Sequence, residues 1–377
     1  MSDAGLEARM ASYLKRIATG PEMSKDLTRE EARDGMELVL RGAVDSVQAG
    51  VFLIALRMKR ESDDENRGVL DALRASTHVA VADVPDLVDL ADPYDGFLRH
   101  LPAAPFLPAV LAACGAPAVS HGCRMMGPKF GLTHHQILAA GGTPVDLTSD
   151  EAAARIANPA IGWAYVDQRA FHPELHALIE LRRLIVKRPC LSTLEKLCGP
   201  VRASGQTHLV VGYVHSGYGR LLPLVAREAG YASALVIRGV EGGVVPPLNS
   251  QARVISYRSG GADESWKLDP REAGIESTVR AAPLASTPDQ AAADESFDEA
   301  SQERDLSHLA ARAAEAGMDA LNGKAGPTRD SLVLAAAVIL RQAGLAASLS
   351  EGADLARRAL DSGEASKRLP RRAPSAL

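Results

Sequence analysis

The chain has 377 residues, room for one large domain or two ordinary ones, and 46% of them are apolar. Aromatics make up only 4%, so a core has to be built from Ala, Leu and Val. A net charge of −5 does not by itself mark a nucleic-acid binder, no apolar run approaches the roughly 20 residues that span a bilayer, and the cysteines Cys114, Cys123, Cys190 and Cys198 form no C-x-x-C pair of the zinc or redox kind. The N-terminal stretch lacks the apolar run of a secretory signal, so a cytoplasmic protein with free thiols and no membrane partner is expected.

The chain begins with helices. In "DLTREEARDGMELVLRG", Thr28 is placed as N-cap with Glu31 three residues on, Met36, Val39 and Leu40 share a face, and Gly42 can end the helix. "SVQAGVFLIALRMKR" repeats the pattern through Val47, Val51, Ile54, Ala55 and Met58. Its apolar residues nearly encircle the axis, which predicts burial on more than one side, as in a subunit interface.

From about residue 75 the period changes. The strand candidates are "HVAVADV", "PAVSHG", "IGWAYV", "HLVVGYV", "ALVIRG" and "ARVISYR". Between them lie the helical stretches "PFLPAVLAACG", "DEAAARIA", "ELHALIELRRLIV" and "GRLLPLVAREAG". The alternation predicts an α/β fold, a mostly parallel sheet flanked by helices behind an N-terminal helical domain. Residues 281–306 are acidic and poor in large apolar side chains, which predicts a surface loop. Two helices follow, one with Leu332, Val333, Ala336, Ile339 and Leu340 on one face and one capped by Ser348 with Glu351. The basic tail at 366–377, with Lys367, Arg368, Arg371 and Arg372, reads as disordered. The expected division is a helical domain at 1–75 and an α/β domain at 76–377, with no internal repeat.

"DPYDGFLRHLPAAPFLPAVLAACGAPAVSHGCR", residues 92–124, is laid out as a loop, a helix and a strand. Taken with "LTREEARDGMELVLRGAVDSVQAGVFLIALRMKRES", "HPELHALIELRRLIVKRP" and "LNGKAGPTRDSLVLAAAVILRQAG", it resembles the anthranilate phosphoribosyltransferase family, also called glycosyltransferase family 3. The resemblance runs over roughly residues 25–365. It implies transfer of a phosphoribosyl group from phosphoribosyl pyrophosphate (PRPP) to the amine of anthranilate with magnesium, and a dimer formed through the N-terminal helices. That chemistry needs a glycine turn whose N–H groups approach the diphosphate, carboxylates for magnesium and basic groups for the acceptor.

Where the family turn reads G-T-G-G-D, this chain has Asp92, Pro93, Tyr94, Asp95 and Gly96. The N-x-S-T that holds the ribose phosphate becomes Pro102, Ala103, Ala104 and Pro105. The Asp-Glu that holds magnesium becomes Val244 and Val245, and Glu241, three residues upstream, is read as a solvated loop carboxylate. Valine cannot ligate a hard cation. The basic groups persist as Arg124 and Lys129 after His121–Gly122, and as Arg182 with Arg183 and Arg188, while His172–Pro173 also matches. The candidate ligand-binding set is therefore Tyr94, Asp95, Gly96, His121, Gly122, Arg124, Lys129, His172, Arg182 and Arg188. No metal ligand is named, and magnesium is expected only if transferase activity remains.

Plainer readings sit beside these. "HSGYGRLL" at 215–222 fits an ordinary strand-to-helix turn as well as a phosphate cradle. His134 and His135 point about 100° apart on a helix and rarely share an ion. Cys123 is expected to be a structural thiol, and the arginine group also fits a solvated helix face. "YDG", "KRPCLSTLEKLCGP" and "GVEGGVVPP" resemble a divergent branch of the family, part of it associated with nucleic-acid binding. The reading is a protein that binds an anionic phosphate-bearing ligand, a nucleotide or nucleic acid, in a basic cleft. The alternative is an active transferase moving phosphoribosyl from PRPP to anthranilate or a related acceptor.

Overall fold

A computed structural model of the chain describes residues 3–20, 22–284 and 305–369. Four helices come first: α1 (Asp3–Ile17), α2 (Arg29–Leu40), α3 (Ser46–Lys59) and α4 (Asp63–Ala75). The Thr28–Glu31 capping box opens α2 as expected, and Ser62 with Glu65 makes a second box that opens α4. Gly68 sets the spacing of α2 and α4, because a Cβ there would lie 2.2 Å from the Arg29 carbonyl.

In α3 the buried residues are Ala49, Phe52, Leu53, Ala55 and Leu56, so of the predicted stripe Val47, Val51, Ile54, Ala55 and Met58 only Ala55 is among them. Both sides carry apolar residues at helical spacing, so the period could not choose between them. The bulkier Phe and Leu side chains gain more by burial and take the inside. Val47 and Met58 remain 70% and 73% exposed in the single chain.

The main sheet has seven strands in the order β4-β3-β2-β6-β7-β8-β9. Its members are β2 (Asp86–Ala91), β3 (Ala118–Gly122), β4 (Trp163–Asp167), β6 (Gln206–Gly212), β7 (Ser233–Ile237), β8 (Ala252–Arg258) and β9 (Glu264–Leu268). The first five in that order run parallel, and β8 and β9 are antiparallel to their neighbours. β1 (Ala80–Ala82) and β5 (Val201–Ala203) pair as a separate parallel ribbon. From β2 the chain moves outward through β3 and β4, then returns to lay β6 on the other side of β2. The order therefore reverses between β2 and β6, where open α/β sheets bind ligands outside the carboxyl ends of their strands.

Several expectations change. The long helix read over 174–186 breaks at Ala177–Leu178 into two short ones, Pro173–His176 and Ile179–Ile185. The helix Pro327–Gln342 buries every residue from Leu332 to Leu340, so it is enclosed all round. Residues 281–284 are not a surface loop: Ala281, Ala282 and Leu284 are buried, and Leu101 and Arg99 exchange backbone hydrogen bonds with them. The remainder of that acidic stretch, 285–304, and tail residues 370–377 lie outside the described residues. Arg368 is held in place, donating to the carbonyls of Pro159 and Ile161 while its own carbonyl accepts from Trp163.

Candidate functional site

The loops that follow β2 and β6 enclose a pocket of about 330 Å³, completed by residues from α3, the 182–196 segment and the loop after β7. Close approach makes it possible. A Cβ on Gly212, at the end of β6, would lie 2.1 Å from the Gly243 carbonyl, so only glycine lets these strand ends meet.

Acidic side chains of this chain are already engaged around the donor-loop positions. Asp92 is buried; one carboxylate oxygen accepts the Val244 N–H at 2.6 Å and the other faces His134 Nε2 at 2.7 Å. Asp95 pairs with Arg188 at 2.5 Å. Glu241 accepts the successive N–H groups of Leu98, Arg99 and His100 at 2.9, 3.0 and 3.0 Å, and also meets His100 Nδ1 and Lys129 Nζ at 3.1 Å. Three consecutive amides on one anion form a nest of the kind that holds phosphate. Burial alone would raise the Glu241 pKa, but His100, Lys129 and the loop amides hold it well below the usual carboxylate range. Glu241 is thus no solvated loop carboxylate, and its backbone is left-handed at φ 51°. Val244 and Val245, where the family resemblance puts the magnesium carboxylates, are buried apolar residues, and valine offers a hard cation no donor.

Below the pocket runs a buried polar chain. The Tyr94 hydroxyl bonds His121 Nδ1, His121 Nε2 lies 2.9 Å from Asp89, and the other Asp89 oxygen accepts from the Tyr231 hydroxyl at 2.6 Å. Burial lifts both tyrosine hydroxyls well above their usual pKa. Neither His121 nor Gly122 lines the pocket. His172 is also fully buried, 3.2 Å from the Ser76 hydroxyl, its imidazole pushed down by burial. Of the predicted residues, Tyr94, Asp95, Lys129, Arg182 and Arg188 meet at this pocket. Gly96 contributes its carbonyl to Lys129 at 2.6 Å. Arg124 faces a different cavity. Cys123 is buried with its thiol pKa pushed well up, as a structural thiol requires. His134 and His135 face different carboxylates, Asp92 and Asp167. The turn at 215–222 opens the helix Tyr218–Glu228 and brings His215 and Tyr218 to the pocket wall.

Arg182 is not a solvated side chain. It makes a two-pronged pair with Glu195 at 2.7 and 2.9 Å, with Ser192 at 3.2 Å, and Gln168 donates to the same carboxylate. Lys196 was missed. It is buried, lines the pocket and donates to the Gly212 carbonyl at 2.8 Å. Burial brings it down to about 8, against the upward pull of Asp92, Asp95 and Glu195. The signal lay in "LSTLEKLCGP", where two charges interrupt an apolar run and cannot both reach solvent.

This architecture has relatives. Residues 11–77 match the glycosyl transferase family, helical bundle domain, and residues 105–318 match the glycosyl transferase family, a/b domain. The chain therefore belongs to the glycosyl transferase family, among proteins like anthranilate phosphoribosyltransferase. The Methylobacterium nodulans anthranilate phosphoribosyltransferase is 30% identical over 95% of this chain and 96% of its own length. That of Thermomicrobium roseum is 28% identical over 96% and 95%. The crystal structure of the Thermus thermophilus enzyme superposes with a TM-score of 0.71 at 24% identity, over 95% of this chain and 97% of that one. The Saccharomyces cerevisiae enzyme in complex with PRPP and Mg gives 0.71 at 15% identity over 96% of each, a likeness of fold.

Proposed function

We propose that this protein binds a phosphate-bearing anion, a nucleotide or one unit of a nucleic-acid strand, in the pocket between β2 and β6, and that Lys196 takes the ligand's negative charge. One observation carries the reading. Lys129, Arg182 and Arg188 each face a carboxylate, whereas Lys196 is buried against a single carbonyl. An amine in that position has further protons to donate and a desolvated charge that an anion would compensate. Asp92, Asp95 and Glu241 argue against diphosphate on the loop after β2. We take residues 1–75 as the unit that pairs two copies through the exposed side of α3.

The test is calorimetry of the full-length protein with a 5′-nucleotide and with a short mixed-sequence single-stranded oligonucleotide. K196M should weaken binding about tenfold or more, the worth of a charge-assisted hydrogen bond. The pH profile adds a readout that a structural role would not move. Anion binding needs the protonated amine, so wild-type affinity should fall as pH rises through about 8. K196R should bind across the same range with a flat profile. Oligonucleotide affinity should drop steeply with salt. Binding that K196M leaves unchanged, or no binding at low salt, contradicts the reading.

A second reading has its own support: relatives of nearly equal length carry the name anthranilate phosphoribosyltransferase. Magnesium-dependent consumption of PRPP in the presence of anthranilate would establish it, and its absence would remove it.

A further inference from the structure

A larger cavity, about 930 Å³, opens at the carboxyl ends of β3 and β4, and its walls share no residue with the pocket between β2 and β6. The helix His134–Ala140, the segment after β4 and the start of the helix Ser307–Leu321 form it. Its polar wall is short of partners. His135 Nδ1 faces Asp167 Oδ2 at 2.8 Å, and neither atom makes any further contact with a hydrogen-bonding group among the described residues. The Asp167 side chain is only 4% exposed. His176 Nδ1, on the same wall, is buried with no partner, and burial keeps its imidazole on the neutral side of its usual value. Two residues before Asp167, on the same strand face, the Tyr165 hydroxyl is buried and unpartnered too. Buried polar groups are nearly always hydrogen-bonded, so such a cluster beside an open cavity points to something that completes it.

The cavity also carries uncommitted positive charge. Arg124 is exposed at its edge, and no described carboxylate pairs with it. Arg169 reaches Asp146 at 3.3 Å, with both side chains more than 60% exposed, a weak contact.

We propose that this cavity is a second binding site, for a small hydroxylated oxyanion such as a sugar phosphate or a sugar acid. Arg124 and Arg169 take the carboxylate or phosphate head. Asp167 Oδ2, beside His135, has a lone pair left to accept a ligand hydroxyl, and the His176 nitrogen supplies a further hydrogen bond. Apolar Met125, Val145 and Ala139 suit the carbon skeleton. A metal is not the occupant we infer, because no group of three or more His, Cys, Asp or Glu residues among the described residues has the geometry to hold one.

The test is NMR of full-length protein labelled at its histidine rings, titrated separately with ribose 5-phosphate, gluconate and inorganic phosphate. The His135 and His176 ring signals should shift saturably with at least one hydroxylated probe, and which one identifies the head group. Inorganic phosphate, which offers no carbon-borne hydroxyl, should bind about tenfold more weakly or worse. Because Arg124 is exposed, R124M should keep the fold, and it should weaken the better probe about tenfold or more. No saturable shift with any probe, equal binding of inorganic phosphate, or binding unchanged in R124M each overturns the proposal.

Discussion

Changing Glu241 to Gln keeps the shape of the side chain and removes its charge. The three amides, His100 and Lys129 would then face a neutral acceptor. A loss of about 1–3 kcal/mol at neutral pH is expected for hydrogen bonds to a charged group. The pH dependence has a definite sign. The folded pKa lies below the ordinary 4.5, so the contribution is fully present above about 4.5 and fades as pH falls toward the folded value. Urea unfolding should therefore show a gap between wild type and E241Q at pH 7 that narrows near pH 3; a gap of constant size contradicts the account. The Arg182–Glu195 pair, both buried, gives a second prediction. R182M strands a buried carboxylate and should cost about 3–5 kcal/mol, while R182M/E195M should recover most of that loss. A small loss in R182M would mean that the pair is open to water. Residues of this kind were only half legible. Arg182 could be picked from the sequence, but its partner Glu195, thirteen residues on, could not, because nothing in the spacing says that the 182–196 segment folds back on itself.

At the scale of elements, periodicity served best where one face of an element is apolar and the other polar. α2, with its cap and stop, came through intact. β3, β7 and β8 also lie within about two residues of the predicted runs, although β3 and β7 are buried at every position. Asp86 and Asp89 interrupt the apolar run of β2, which is not among the strand candidates; Asp89 is buried there with His121, on β3, and Tyr231, in the connection before β7, bonded to its carboxylate. In α3, two apolar faces competed, and the one left outside holds Val47, Val51 and Met58. If that face pairs two copies, the wild type should sediment as a dimer at micromolar concentration and V47E/M58E as a monomer. A monomeric wild type contradicts the pairing, and dissociation without loss of helical signal separates it from misfolding.

For the whole molecule, strand order does what no single motif could. The reversal between β2 and β6 places the loop at 92–96, the 213–215 turn and the 182–196 segment around one pocket. The α/β class was readable from alternating runs, but which loops converge depends on strand order, and that depends on long-range pairing. Hence Arg124 and Lys129, which the family resemblance places together in the loop after His121–Gly122, are carried to different cavities. We propose that the chain's own carboxylates occupy the donor loop and leave no place there for a magnesium diphosphate. Calorimetry of the full-length protein with PRPP and magnesium tests it most directly. No magnesium-dependent binding heat is expected; micromolar, magnesium-dependent binding of PRPP would show the loop to be a working donor site.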